Sequence, residues 1–443
     1  MPERPNILLM VADALRADHL GCYGYHHATS PTLDSFAEQG TIGDQLFCPV
    51  IPTQPSFTTL LTGQRPITHG VVAHSGKAEL SREAPFLPEL LLRAGYTTCA
   101  VDNLAQARPW LGRGFEYYIN PSLRRMLPVA VTCEELNARA VPWIRAHAAE
   151  SFFMMIHYWD PHYPLNAPPR YDDLFYQGTD PTDRRNRSME VWWDNPLGML
   201  ARDTWLRRPE GLITDMDYVV AMYDREIRYL DDHIAQVLET LDQEGVAGRT
   251  LVVFMADHGE SMSEHGIYIE HHGLYDCTIR VPMIMRWQGV VPAGAHLPHM
   301  QHMNDVAPTL LEAAGMPTPK AMEGRSFWRT LTGQEAGEGH DRLITAECSI
   351  QAKWALRTDR YKFILAREPD PYGTPPRELY DLYDDPGEEN NIATAQPDLT
   401  GAMEAELEQW IADQLQALGR AEDPVRSEGT SLRAGLARLS DSM

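Results

Sequence analysis

The chain has 443 residues, 43% hydrophobic and 23% charged, which suits a soluble protein with one large domain and a smaller appended one. Its net charge of −24, from 38 basic and 62 acidic side chains, argues against nucleic acid or an anionic membrane as the main partner, since both require a positive field. No apolar run reaches the roughly 18 residues of a membrane span, the opening Met1-Pro2-Glu3-Arg4-Pro5 lacks a signal-peptide pattern, and the six scattered cysteines include no CxxC pair, so free thiols in a cytoplasmic protein are expected.

Short apolar runs alternate with helical patterns, the signature of an α/β fold built on a mostly parallel sheet with helices on both faces. The first run, Asn6 to Val11, leads into Ala12-Asp13. In the segment Pro52 to Pro66, Pro55 fits the first turn of a helix and Gly63 its stop, so Thr53 falls at a helix N-terminus, where free N–H groups and the dipole favour anions. A threonine there is either a helix cap or a hydroxyl presented to an anion and a metal ion, and spacing leaves both readings open.

Farther along, Phe152 to Ile156 precedes His157-Tyr158-Trp159-Asp160-Pro161-His162. The pattern loosens from 165 to 215, where Trp192, Trp193 and Trp205 mark an insertion: a lid over a site, or a surface excursion stapled down by its tryptophans. Asp217 to Leu241 reads as an amphipathic helix, with Val220, Tyr223, Ile227, Leu230, Ile234 and Leu238 on one face. Thr250 to Met255 is a third buried run and precedes Ala256-Asp257-His258-Gly259-Glu260. The catalytic domain is expected to span 1–330 and a C-terminal α+β subdomain 331–420, with strands in 353–365 and 377–383 and a helix over 398–418; a polar, loosely ordered tail fills 421–443.

Three buried strands thus end in acidic or imidazole residues. Ligands of open α/β sheets bind beyond the carboxyl ends of the strands, so Asp13, His162 and the Asp257-His258 pair are candidates for one shared site.

The segment around Thr53 resembles the sulfatase signature of the alkaline phosphatase superfamily, aligned by Pro55, Ser56 and Leu61-Thr62-Gly63. The likeness covers most of the chain. Asp13 to Gly24 is similar to the family's N-terminal metal-ligand segment, His157 to His162 to its H-x-x-D-P-H segment, and Asp257 to Glu260 with His272 to Asp276 to the second metal-ligand segment. The resemblance implies a metal-dependent ester hydrolase in which Asp13, Thr53, Asp257 and His258 hold one divalent ion. The imidazole ligand suits Mn2+, Zn2+ or Fe2+ better than Ca2+, and Mn2+ or Zn2+ is the leading expectation, ahead of Fe2+ and Ca2+. A second ion, held by some of Asp160, His162 and His272, is left open.

Two departures shape the expected reaction. Sulfatases of this kind oxidise a Cys or Ser to formylglycine; Thr53 carries an extra methyl on the same carbon, and the arginine four residues on is Phe57 here. The Gly-Lys-x-His segment of sulfatases is also missing, with Val101-Asp102-Asn103-Leu104 roughly in its place. A plain Thr nucleophile resembles the phosphodiesterases of the superfamily, and the Asp-His pair resembles its phosphonate monoester hydrolases. The expected chemistry is attack by Thr53 on a small anionic phosphodiester or phosphonate monoester through a covalent phospho-enzyme, with His162 and His272 as proton carriers or phosphoryl contacts and His74 and Asn103 touching substrate. The alternatives are a sulfuric ester hydrolase without formylglycine, a phosphoryl or phosphoethanolamine transferase, and a non-catalytic binding protein of the same fold. Self-association into a homo-oligomer is open on sequence grounds.

Overall fold

In the computed structural model, which describes residues 4–122, 131–193 and 196–433, the three sequence-identified strands lie side by side at the centre of one sheet. Asn6–Ala12 pairs in parallel with Thr250–Ala256 on one side and Phe152–Tyr158 on the other, and Thr97–Val101 and Tyr117–Ile119 extend the parallel set. All three central strands are buried throughout, as continuous apolar runs require when helices cover both faces of a sheet. Beyond Thr250–Ala256 the sheet turns antiparallel through Met283–Arg286, which pairs with Thr41–Phe47. The helix expected over 217–241 runs from Met216 to Gln243, and Val219, Tyr223, Ile227, Leu230, Ile234, Val237 and Leu238 are buried along it.

The C-terminal subdomain is an antiparallel sheet of Arg342–Glu347, Lys353–Thr358, Tyr361–Ala366 and Arg377–Asp381, packed against the helix Pro397–Leu418. Its fifth strand comes from the other lobe. Val50–Ile51 pairs in parallel with Ala346 and Glu347, and the chain then enters the helix that carries Thr53. The second lobe therefore holds the segment leading to the proposed nucleophile.

The tail is a correction to the sequence expectation. Residues Pro424–Glu428 form a helix capped by Asp423, Ser431 Oγ bonds the carbonyl of His74, and Leu432 and Arg433 donate to the carbonyl of Ser349. Hydrogen bonds and buried Val425 hold this stretch although its composition is polar. The rest of the expected tail, 434–443, and the opening Met1 to Glu3 lie outside the described residues. All six cysteines are free, with Cys48, Cys99, Cys133 and Cys348 buried.

Candidate metal centre and its cavity

The carboxyl ends of the central strands deliver their polar residues to one point. Asp13 follows the first strand, and Asp257 and His258 follow the neighbouring one; register pairs Ala12 with Ala256, so the two acids leave the sheet together. Across from them stands the helix Thr53–Thr62. Pro52 is its N-cap and no side chain caps it, so Thr53 is not acting as a cap. Its hydroxyl lies 3.2 Å from Asp13 Oδ2 and 3.2 Å from His258 Nε2, with only 2% of the residue exposed. Gly63 ends the helix in the left-handed conformation (φ 62°), as the sequence indicates.

Two carboxylates buried this close repel each other. His258 Nε2 lies 3.5 Å from Asp13 Oδ1 and 3.4 Å from Asp257 Oδ2, and those two oxygens have no hydrogen-bond partner. An orphaned buried carboxylate oxygen costs several kcal/mol unless a cation meets it. The donor set Asp13, Asp257 and His258 has the spacing a divalent ion needs, with the Thr53 hydroxyl at its edge. Mixed carboxylate, hydroxyl and imidazole donors suit a first-row transition ion. Burial and the charge of Asp13 push Asp257 up to about 7. Asp13 moves the other way, down to about 2: burial raises it, but the His157 hydrogen bond and the surrounding imidazoles outweigh that.

His157 is the residue that sequence reading passed over. It lies on the strand Phe152–Tyr158, with Nε2 donating to Asp13 Oδ2 at 3.2 Å and Nδ1 donating to Asp102 Oδ1 at 2.8 Å. Burial alone would lower its pKa, but the two carboxylates raise it to about 10, so the ring carries both protons and clamps Asp13. Phe57, in place of the family arginine, packs on that ring at 4.6 Å between centroids. The available signal was the first histidine of the His157 to His162 segment.

A cavity of about 440 Å3 opens beside Thr53. Its walls include His74, Asn103 and His162, as expected, and also Gln54, Trp159, Tyr163, His271 and Leu432. Asn103 Oδ1 accepts from Trp159 Nε1. Gln54 reaches His74 with its amide nitrogen, and its oxygen accepts from Arg108 Nε at 2.8 Å, so the Arg108 guanidinium meets this wall through Gln54. Burial lowers His162 and takes His74 down to about 4. His162 Nδ1 bonds the carbonyl of Tyr163, which leaves its Nε2 as an acceptor; in this state the ring takes a proton before it can give one.

His272 is placed differently from the expectation. Its Nδ1 is 2.9 Å from Glu347 Oε1 and its ring is outside the cavity wall, whereas the adjacent His271 lines it. Asp160 turns away as well, accepting from the backbone N–H and thiol of Cys133. The trio Asp160, His162 and His272 therefore does not converge on a second ion. In the insertion, Trp192 stacks on Trp193 and Tyr268 and meets Trp205 edge-on. No described residue from 165 to 215 lines the cavity, which fits the stapled excursion better than a lid.

Residues 5–316 match the family described as Sulfatase, and residues 263–416 match the family described as N-sulphoglucosamine sulphohydrolase, C-terminal. Among curated proteins, the chain is 25% identical to a Delta 4,5-hexuronate-2-O-sulfatase of Bacteroides thetaiotaomicron, covering 88% of this chain and 85% of that one. It is 24% identical to an ulvan-active sulfatase of Formosa agariphila, over 88% of this chain and 76% of the other. Among solved structures it resembles a phosphonate monoester hydrolase of Agrobacterium radiobacter, with a TM-score of 0.74, 21% identity and coverage of 93% of this chain and 96% of that one.

Proposed function

The chain belongs to the sulfatase family of the alkaline phosphatase-like superfamily, whose members are hydrolases, and we propose that it cleaves phosphodiester or phosphonate monoester bonds with unmodified Thr53 as nucleophile. The observation that carries this reading is the Thr53 hydroxyl, uncapped and equidistant at 3.2 Å from Asp13 and His258. Asp13, Asp257, His258 and Thr53 would hold the divalent ion, Mn2+ or Zn2+. When bound, such an ion lowers the pKa of a hydroxyl it touches and neutralises the acidic cluster.

The remaining chemistry belongs to the chain's own groups. Thr53 Oγ1 attacks phosphorus, forming a phosphothreonine ester as the bond to the ester alcohol breaks. His162 Nε2 accepts the proton that Thr53 gives up and returns it to the departing oxygen. Water then attacks the phosphothreonine, its proton passes to the same nitrogen, and the hydroxyl is restored. His157, fixed between Asp13 and Asp102, keeps Asp13 aimed at the nucleophile. His74 and Asn103 face the substrate in the cavity, with Gln54 between His74 and Arg108.

Sulfate esters are the second reading, favoured by the names of the curated relatives. Threonine cannot yield the aldehyde that formylglycine chemistry uses, and Phe57 occupies the place of the arginine expected beside it. A comparison of an aryl phosphodiester, a phosphonate monoester and an aryl sulfate decides the matter, with Thr53→Ala as control. Turnover of the diester or phosphonate that disappears in Thr53→Ala supports the proposal, and faster turnover of the sulfate overturns it.

A further inference from the structure

Among the described residues that line the cavity beside Thr53 there is no Lys, Arg, Asp or Glu. The polar groups of one wall are engaged within the protein. Gln54 Oε1 accepts from the backbone N–H of Ser75 at 2.9 Å and from Arg108 Nε at 2.8 Å, which fills both of its lone pairs, and Gln54 Nε2 lies 3.2 Å from His74 Nε2. Asn103 Oδ1 takes the indole N–H of Trp159. Leu104, Ala107, Trp159, Tyr163 and Leu432 supply apolar surface around the same space. Leu432 arrives from the far end of the chain, and its place there is well anchored. The N–H groups of Leu432 and Arg433 lie 3.0 and 3.2 Å from the carbonyl of Ser349, Ser431 Oγ donates to the carbonyl of His74, and Glu428 accepts from the backbone of Lys77 and Ala78. Val425, 1% exposed, ties the same stretch into the core of the smaller lobe.

We propose that Leu432 is a specificity-determining residue and that the cavity takes an uncharged aromatic group of the ester rather than a sugar. The inference rests on the reaction proposed at Thr53 and names its substrate class. A sugar brings several hydroxyls, each of which loses water on entry and needs a partner inside. The amide and indole groups of the wall already have theirs. A charged substituent meets no countercharge among the lining side chains. An aromatic ring gives up no hydrogen bonds and gains contact with Trp159, Tyr163 and Leu432. A volume of about 440 Å3 lies within the range of small-molecule pockets and leaves room for a ring beside the phosphorus group. The Leu432 side chain carries neither charge nor exchangeable proton, so its part in the reaction is contact with the organic group alone.

The test reads binding, so that it stays separate from turnover. The full chain in MnCl2 is titrated by calorimetry with phenylphosphonate, methylphosphonate and glucose 6-phosphate, which share a phosphoryl group and differ in what it carries. Phenylphosphonate is expected to bind at least about tenfold more tightly than either of the others. Leu432→Ala should lower the phenyl-to-methyl affinity ratio by about three- to tenfold, and Leu432→Met, which keeps the apolar contact, should preserve it. Equal or tighter binding of methylphosphonate or glucose 6-phosphate overturns the aromatic assignment, as does binding of none of the three. An unchanged ratio in Leu432→Ala overturns the role of Leu432. Circular dichroism confirms folding of both variants. A preference for phenylphosphonate in a protein whose turnover does not depend on Thr53 shows the reaction to be misread while the cavity assignment stands.

Discussion

Asp257 is a fully buried acid and Asp276 a partly buried one, and the chain treats them in opposite ways. Asp276 receives its two cations from the protein, Arg357 Nη2 at 2.9 Å and Lys362 Nζ at 2.5 Å; Glu388, an acid, shares Lys362 at 2.6 Å. Burial would raise Asp276, but Lys362 and Arg357 hold it well below the usual carboxylate range. Asp257 Oδ1 accepts the backbone N–H groups of Ala14 and His258, but no Lys or Arg pairs with it among the described residues, and burial and the charge of Asp13 push it up to about 7. The same residue type thus serves as a structural tie in one place and as an open ligand in the other. What distinguishes them is whether the fold supplies the countercharge.

Breaking each side of this contrast should give different failures. The largest effect is expected from Thr53→Ala, which removes the nucleophile and should lower kcat by about 10^4-fold or more, while circular dichroism and thermal melting stay near wild type. Asp276→Ala should do the reverse. It strands Arg357 and leaves Lys362 with Glu388 alone, so unfolding in urea should show a loss of about 3 kcal/mol, with turnover per folded molecule retained. A divalent ion at ~1,000 times its Kd should stabilise the chelated protein by about 4 kcal/mol, seen as a rise in melting temperature that Asp257→Asn largely abolishes.

The pH dependence sharpens the same point. Asp257 in the metal-free fold titrates near 7, above its unfolded value, so the folded state holds the extra proton. Its contribution to stability is therefore full at low pH and falls as pH rises from about 4 to about 7. Ion binding needs the carboxylate, so affinity should climb over that window. Calorimetric titration with Mn2+ at pH 5.5 and 7.5 checks the direction. The smallest effect is expected at the cavity wall, where Leu432→Ala should change kcat/KM for a bulky aryl ester by about tenfold or less, mostly through KM.

The sequence was most readable where its signals are local. Three continuous apolar runs each ended in acid or imidazole, and they became adjacent parallel strands carrying Asp13, the His157 to His162 segment, and Asp257 with His258. The Pro55 and Gly63 punctuation gave the helix of Thr53, and 3.6-residue periodicity gave the Met216–Gln243 helix. What escaped notice depends on long-range packing. The tandem His271-His272 offers two equivalent rings, and only the position of Glu347 decides that His272 is held there while its neighbour lines the cavity. Leu432 sits in a polar stretch whose composition says nothing of its place, which rests on backbone bonds to Ser349. His157 was legible as part of a segment but not as a clamp, because Asp102 comes from another strand.

The pairing of Val50–Ile51 with Ala346 and Glu347 gives the molecule a mechanical constraint. The strand that borders the C-terminal sheet is the stalk of Thr53, the proposed nucleophile, and Glu347, the last residue of its partner, also grips His272 and the backbone of Gly273. A protein cut before residue 340 would keep the large parallel sheet but release that stalk from its anchor. The smaller lobe thus borders the proposed site, and any tilt of its sheet would be transmitted straight to the Thr53 hydroxyl.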